Sequence, residues 1–317
     1  SPIFGSQHVV FPIVFTDGVQ WMLKVPAIGV ERHWQDADAR GLSSEANTMR
    51  LIKRATTIPV PDVLWFEGSL ENLLRCPFIL MAHVEGISLY EYWFDKKVSE
   101  AERTQRNLKV LEQVAEAMLQ LDKFSFDQGG SLEFNHEGQF LGIGPMRRLD
   151  VDSTNFGLES LHRATESRLD FMVTANYGPY RTPKDFYKNI FTRTWNEYLP
   201  DETIFASYNA LELLVECIPE PDDGRKAFVL AHPDLSIQNV IISPEDGTVL
   251  AIIDWHGTGA VPRSMGNESY PLWLTRDWTA SNYQWDHPNC PHTGWSEFED
   301  DPPKTLENLR AEYQRIL

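Results

Sequence analysis

The stretch His232-Pro233-Asp234-Leu235-Ser236-Ile237-Gln238-Asn239, followed by Ile253-Asp254-Trp255, decides how this chain reads. It has the form H-x-D-x-x-x-x-N, with a second aspartate fifteen residues beyond the asparagine. Short β patterns flank it: Phe228 to Ala231 before, then Val240 to Ser243 and Thr248 to Ile253 around the turn Pro244-Glu245-Asp246-Gly247. A hairpin there brings Asn239 and Asp254 together. The layout suits phosphoryl transfer. One carboxylate, Asp234, orients an acceptor hydroxyl and takes its proton, while an amide oxygen and a second carboxylate, Asn239 and Asp254, hold Mg²⁺ against nucleotide phosphates. H-x-D-x-x-x-x-N alone also arises by chance, and a His-Asp pair in a loop is often a structural network. The strand-borne Asp254 at this distance is what separates the two readings.

Upstream, the chain begins strand-rich. Val9 to Phe15, the turn Thr16-Asp17-Gly18 and Val19 to Val25 predict a hairpin. Ser43-Ser44-Glu45-Ala46 predicts a helix start with Glu45 in its first turns, ended by Ile58-Pro59-Val60-Pro61. Strands follow at Asp62 to Glu67 and Phe78 to Val84. From Ser99 the pattern turns helical: Ser99 with Glu102 is a capping box, and Leu108, Leu111, Ala115 and Met118 keep helical spacing. Asp127 to Gly144 reads as an irregular insertion. Lys184 to Tyr198, Ile204 to Ile218 and Pro303 to Ile316 read as further helices.

These residues resemble the aminoglycoside phosphotransferase and choline kinase-like family, relatives of the protein kinases, with wording similar to its fungal branch. Trp21-Met22-Leu23-Lys24-Val25-Pro26 looks like the family's third strand, and Ser44-Glu45-Ala46 like the helix whose glutamate pairs with that lysine. The segment Phe78 to Gly86 looks like the following strand and the interlobe hinge. The resemblance runs from about Gly5 to Pro262. It implies an α+β, bilobal protein-kinase-like fold, with residues 1–85 as a β-rich nucleotide-binding lobe and 86–317 as a larger, mainly helical lobe carrying the catalytic loop and acceptor site. It further implies ATP and Mg²⁺ as cofactors. Lys24 meets the phosphates and is held by Glu45. Met81, Ala82 and Val84 present hinge groups to adenine. Gly5 and Ser6 form a short phosphate loop through backbone amides and a hydroxyl. Asp234 and Asn239 serve catalysis, and Asn239 and Asp254 the metal. His232 braces the loop. Taken alone, Lys24 reads as a solvated strand lysine and Glu45 as a helix-start acid. The strand that precedes Gly5 in the family is nearly absent, so either the true N-terminus lies ahead of Ser1 or the small lobe is incomplete at its start.

The chain has 317 residues, 42 % of them hydrophobic, and a formal net charge of −18. That composition supports a sizeable core and opposes nucleic-acid binding. No apolar run approaches the roughly 20 residues of a membrane helix. Cys76, Cys217 and Cys290 are odd in number and scattered, which favours a reducing compartment. Ser1 to Gly5 show no basic segment leading an apolar core, and the expected location is cytoplasmic, with a removed targeting segment left open. The reading is therefore a small-molecule kinase acting on a hydroxyl, with a pseudokinase or binding module of the same fold as the alternative. The net charge and the acidic run Glu297, Glu299, Asp300, Asp301 point to a neutral or cationic acceptor. The stretch Trp285 to His292 holds His, Cys and His at close spacing, but a plain loop suits its prolines better than a zinc site.

Overall fold

The computed structural model of the chain describes residues 1–149, 174–193, 202–218, 224–279, 283, 285 and 299–317. Its first part is an antiparallel sheet of five strands. These are β1 (Ile3–Phe4), β2 (His8–Val14), β3 (Gln20–Pro26), β4 (Val63–Glu67) and β5 (Phe78–Ala82), in the order β1-β2-β3-β5-β4. The β2–β3 hairpin closes where the Asp17 carboxylate accepts from the Val19 N–H at 3.1 Å and Gly18 takes φ +88°. In its register Val9 faces Val25, and on the other side of β3 Lys24 faces Ile79. The strand ahead of the short loop is two residues long, as the sequence led one to expect.

Helix α1 (Asp36–Ala55) lies against this sheet through Leu42 and Ala46, which pack on Ile79, Val63, Phe66 and Met81. It begins well before the expected start near Ser43. The Gln35 N–H donates to the Asp38 carboxylate at 3.0 Å, and Asp36 and Asp38 supply the acids of the first turn. Glu45 therefore sits in the helix interior, buried. Its position reflects the face it shares with the sheet, not the helix dipole.

Beyond the sheet, β6 (Ile87–Ser88) leads into the short helix α2 (Leu89–Trp93) and then the long helix α3 (Glu100–Leu119). The Ser99 hydroxyl accepts from the Glu102 N–H at 3.3 Å, the expected cap. Val110, Leu111, Val114, Ala115 and Met118 of α3 lie in the main core with Leu89, Trp93, Leu230, Ile252 and Trp255. Strand β7 (Ser125–Phe126) follows. The stretch expected to be irregular contains a hairpin, β8 (Ser131–Phe134) with β9 (Phe140–Gly144). The Asn135 side-chain oxygen accepts from Glu137 and Gln139 N–H groups at 3.0 and 2.9 Å and closes the turn. Strands β10 (Met146–Leu149) and β11 (Thr174–Tyr177) pair next. Helices α4 (Pro183–Arg193) and α5 (Glu202–Cys217) pack together. The expected extension of α4 to Tyr198 lies outside the described residues.

Strand β12 (Phe228–Ala231) is buried throughout and runs between β7 and β15 (Gly259–Pro262). Strands β13 (Val240–Ile242) and β14 (Val249–Ile252) form the expected hairpin and extend to β6. Helix α6 (Pro303–Ile316) ends the chain, with proline in its first turn and Leu306, Leu309 and Tyr313 buried. Among the described residues no helix is long and apolar enough to cross a membrane.

Candidate active site

The loop between β12 and β13 is held by His232. Its Nε2 donates to the Ile253 carbonyl at 3.0 Å, and its Nδ1 accepts from the Asp234 N–H at 3.2 Å. Burial pulls this imidazole down to about 4, so it is neutral at ordinary pH. Both nitrogens serve backbone, which makes His232 a brace. The Asn239 amide nitrogen donates to the Asp234 carbonyl at 2.9 Å and to its carboxylate at 3.2 Å. Asn239 thereby fixes the carboxylate, and its own amide oxygen is left over. The Ile253 N–H donates to the Asn239 carbonyl at 2.8 Å, so the far end of the loop is tied to the exit of β14.

At that exit the chain turns sharply. Trp255 is fully buried, and its indole donates to the Ile252 carbonyl at 2.8 Å. Asp254 before it adopts φ +62°, a left-handed conformation that costs a non-glycine residue energy. Anchoring the tryptophan in the core turns the neighbouring carboxylate outward, where it is 44 % exposed.

Across the gap, Lys24 on β3 is buried. Its ammonium donates to Glu45 at 2.8 Å and to Asp254 at 2.7 Å. Burial alone would lower the lysine, but the two carboxylates outweigh it and raise it. Burial likewise works to raise Glu45, yet the Lys24 charge, with the His256 hydrogen bond, holds it well below the usual carboxylate range. Asp254 shows the same balance, burial against Lys24, and is net lowered. Asp234 goes the other way: burial and the nearby Asp254 charge raise it.

All of the residues expected at the nucleotide, metal and acceptor positions line one cleft of about 470 Å³. They are Gly5, Ser6, Lys24, Glu45, Met81, Ala82, Val84, Asp234, Asn239 and Asp254. Two details refine the hinge. The Ala82 N–H donates to the Asp62 carbonyl at 2.9 Å and the His83 N–H to the Gln20 carbonyl at 3.2 Å, so both are used within the sheet.

Sequence reasoning passed over His8 and His256. His256 Nδ1 lies 3.3 Å from the second Glu45 oxygen, and its ring meets that of His8 edge-on at 4.5 Å. The local signals were only that His8 follows Gly5-Ser6-Gln7 and His256 follows Asp254 by two. The acidic run of the tail, in contrast, is engaged elsewhere. Asp300 pairs with Arg276 at 2.7 Å, Asp301 accepts from the Trp93 indole at 2.7 Å, and Glu299 pairs with Lys96 at 2.5 Å. None of these three carboxylates lines the cleft. Glu297 and Asp286 to His292 lie outside the described residues.

A small antiparallel sheet with one helix, set over a larger body that carries two aspartates and an asparagine on neighbouring loops, defines a kinase-like phosphotransferase fold of the α+β class. The chain belongs to the phosphotransferase enzyme family, whose model matches residues 13–265. The solved structure of a Ralstonia eutropha protein assigned to the aminoglycoside phosphotransferases superposes with a TM-score of 0.50 at 12 % identity, covering 100 % of this chain and 73 % of that one. This likeness shows the fold. A subtelomeric hrmA-associated cluster protein of Aspergillus fumigatus is 23 % identical over 321 residues, 86 % of this chain and 60 % of that protein. The altered inheritance of mitochondria protein 9, mitochondrial, of Debaryomyces hansenii is 28 % identical over 134 residues, 42 % of this chain and 21 % of that protein. The chain thus spans three-fifths or less of the length of these fungal relatives.

Proposed function

We propose that this chain transfers the terminal phosphoryl group of ATP to a hydroxyl of a small molecule. Residues 1–85 serve the nucleotide, and residues 86–317 supply the catalytic loop and acceptor site. The observation that carries the reading is the convergence of Lys24, Asp234, Asn239 and Asp254 on one cleft. Asp234 accepts the proton of the acceptor hydroxyl; burial and the Asp254 charge raise it, which makes it a stronger base than an ordinary carboxylate. Asn239 keeps that carboxylate aimed. Lys24, released from Asp254, neutralises phosphate oxygens while Glu45 retains it. Gly5 and Ser6 cover the phosphates. At the hinge, Ala82 and His83 are already bonded in the sheet, so the adenine-facing donor falls to the Val84 N–H. The Asp254 carboxylate and the spare Asn239 amide oxygen are hard oxygen donors and fit Mg²⁺. When bound, Mg²⁺ offsets the charge that develops on the transferring group. The protein's own contribution is position and fixed charge.

The acceptor is neutral or cationic on this reading. Among the described residues, the charged side chains lining the cleft are Glu45, Asp234 and Asp254 against Lys24, and none of them is arginine. This replaces the acidic tail as the motive. A phosphotransfer screen of hydroxylated amines, neutral polyols and sugar acids tests it, with Asp234→Asn as the background control. Turnover confined to carboxylated or phosphorylated acceptors would overturn the acceptor class.

The alternative reading is a nucleotide-binding module of the same fold without turnover. Thermal stabilisation by ATP with and without Mg²⁺ shows whether nucleotide and metal bind, since a ligand of the folded state raises stability by mass action. Binding without turnover across the acceptor screen would select the module. The scattered thiols support a reducing compartment, Cys76 and Cys217 being free. Fractionation decides between cytoplasm, the expectation from sequence, and mitochondrion, which the Debaryomyces relative's name carries.

A further inference from the structure

Three metal-competent side chains meet beside Lys24 and have no assigned task as a group. His8 opens β2, Glu45 lies within α1, and His256 sits on the loop after β14. One candidate ligand atom from each lies within 4.8 Å of the other two. Glu45 divides its carboxylate: one oxygen takes the Lys24 ammonium at 2.8 Å and the other faces His256 Nδ1 at 3.3 Å. His8 is buried, at 9 % exposure, and it lines the cleft, so its imidazole faces the space beside Glu45 and His256.

We propose that His8, Glu45 and His256 form a site for a divalent transition-metal ion of the zinc class, separate from the Mg²⁺ donors. The donor chemistry sorts the ions. Two imidazoles and a carboxylate suit zinc or cobalt, whereas the Asp254 and Asn239 oxygens suit magnesium. Zinc–ligand distances of about 2.0–2.2 Å put neighbouring ligand atoms roughly 3.3 Å apart. The Glu45–His256 pair already has that separation, and the His8 ring needs to close by less than about 1.5 Å, which follows from the 4.8 Å limit. Three protein ligands leave a position for water. An ion here ties the start of β2, and with it the Gly5–Gln7 turn, to α1 and to the loop that carries Asp254. The ion is thus a tether between the phosphate loop and the opposite wall of the cleft.

The test is run without nucleotide, so it stands apart from phosphotransfer. Chelator-treated protein is titrated with Co²⁺ and Zn²⁺ in the presence of excess Mg²⁺, followed by calorimetry and by the visible absorption of bound cobalt. The expected result is one equivalent bound, with a visible band that Zn²⁺ removes and Mg²⁺ does not. His256→Asn and His8→Phe should each weaken binding by more than the roughly 10–100-fold that loss of a mere supporting contact costs. His256 is part-exposed, so His256→Asn decides alone if His8→Phe does not fold. No binding by the unaltered protein overturns the site. So does undiminished binding in His256→Asn, which would place the ion on other histidines.

Discussion

Two networks of charge hold this molecule, and they are built differently. In the tail, Arg310 donates to both oxygens of Asp277 at 2.7 and 3.0 Å and to the Leu274 carbonyl at 2.6 Å. Arg276 grips both oxygens of Asp300 at 2.7 and 3.2 Å. Among the described residues each guanidinium grips one carboxylate in a planar fork. In the cleft, one ammonium serves two carboxylates, and a third, Asp234, lies on the same cavity. That arrangement has a surplus of negative charge and an opening beside it. The tail network fastens the last helix to the body; the cleft network leaves excess negative charge beside an opening. The contrast teaches that a shared feature, the partly buried ion pair, says little until its charges are counted against the space next to it.

The contrast can be broken most severely at Asp234. Asp234→Asn should lower phosphotransfer by about 10²–10⁴-fold with little change in melting temperature, because a proton acceptor is lost but no packing is. Near-normal turnover in the purified variant would remove Asp234 from the chemistry. Arg310→Met probes the tail. It leaves Asp277 without its fork and should cost about 1–3 kcal/mol, read as a melting temperature lower by several degrees. The stabilisation by nucleotide should persist in full. If that stabilisation disappears, the tail network is not merely a fastening.

Asp254→Asn sharpens the cleft side. Asparagine tolerates the left-handed backbone at this position, but the change also removes the Lys24 attraction that holds Asp254 lowered, which outweighs the relief of its repulsion from Glu45. Melting temperature should fall, by less than in Arg310→Met because the carboxylate is part-exposed, while the Mg²⁺-dependent part of nucleotide affinity is lost, which calorimetry with and without the metal measures. Destabilisation comparable to Arg310→Met would make the two networks alike. The smallest effect concerns pH. His232 is held near 4 in the fold against 6.5 as its ordinary value, so the unfolded chain takes up a proton that the fold refuses. Stability should therefore fall as pH drops from about 6.5 toward 4, and His232→Gln should flatten that slope in denaturant titrations. An unchanged slope would mean that other groups carry it.

Much of the architecture was legible because it rests on local rules. The β2–β3 turn needs Asp17 and Gly18, the Ser99 cap needs a hydroxyl three residues before Glu102, and proline opens α6. Where local rules competed, the reading slipped. Helix α1 starts seven residues before Ser43, because the Asp38 cap lies upstream and sheet packing carries the helix through Gly41. The polar stretch around Asn135 looked formless, because four- and five-residue strands leave little alternation to detect and the closing bond is made by a side chain.

By itself the sequence placed Asp234, Asn239 and Asp254, the residues proposed for catalysis and metal, at the ends of one hairpin, where neighbouring residues cannot stray far apart. It also determined the Ser99 cap of α3 and the turn of the first long hairpin. The resemblance anticipated that Glu45 holds Lys24, and only the tertiary structure decided that Asp254 holds it as well. Lys24 meets one partner 21 residues away and another 230 residues away, and His8 meets His256 from opposite ends of the chain. It decided as well that the tail's acids are locked to Arg276, Lys96 and Trp93 outside the cleft. The physical reason is the range of the forces. Turns and caps are settled within a few residues by backbone hydrogen bonds, whereas pairing across the cleft waits on hydrophobic burial that brings distant segments together and leaves their charges to find one another.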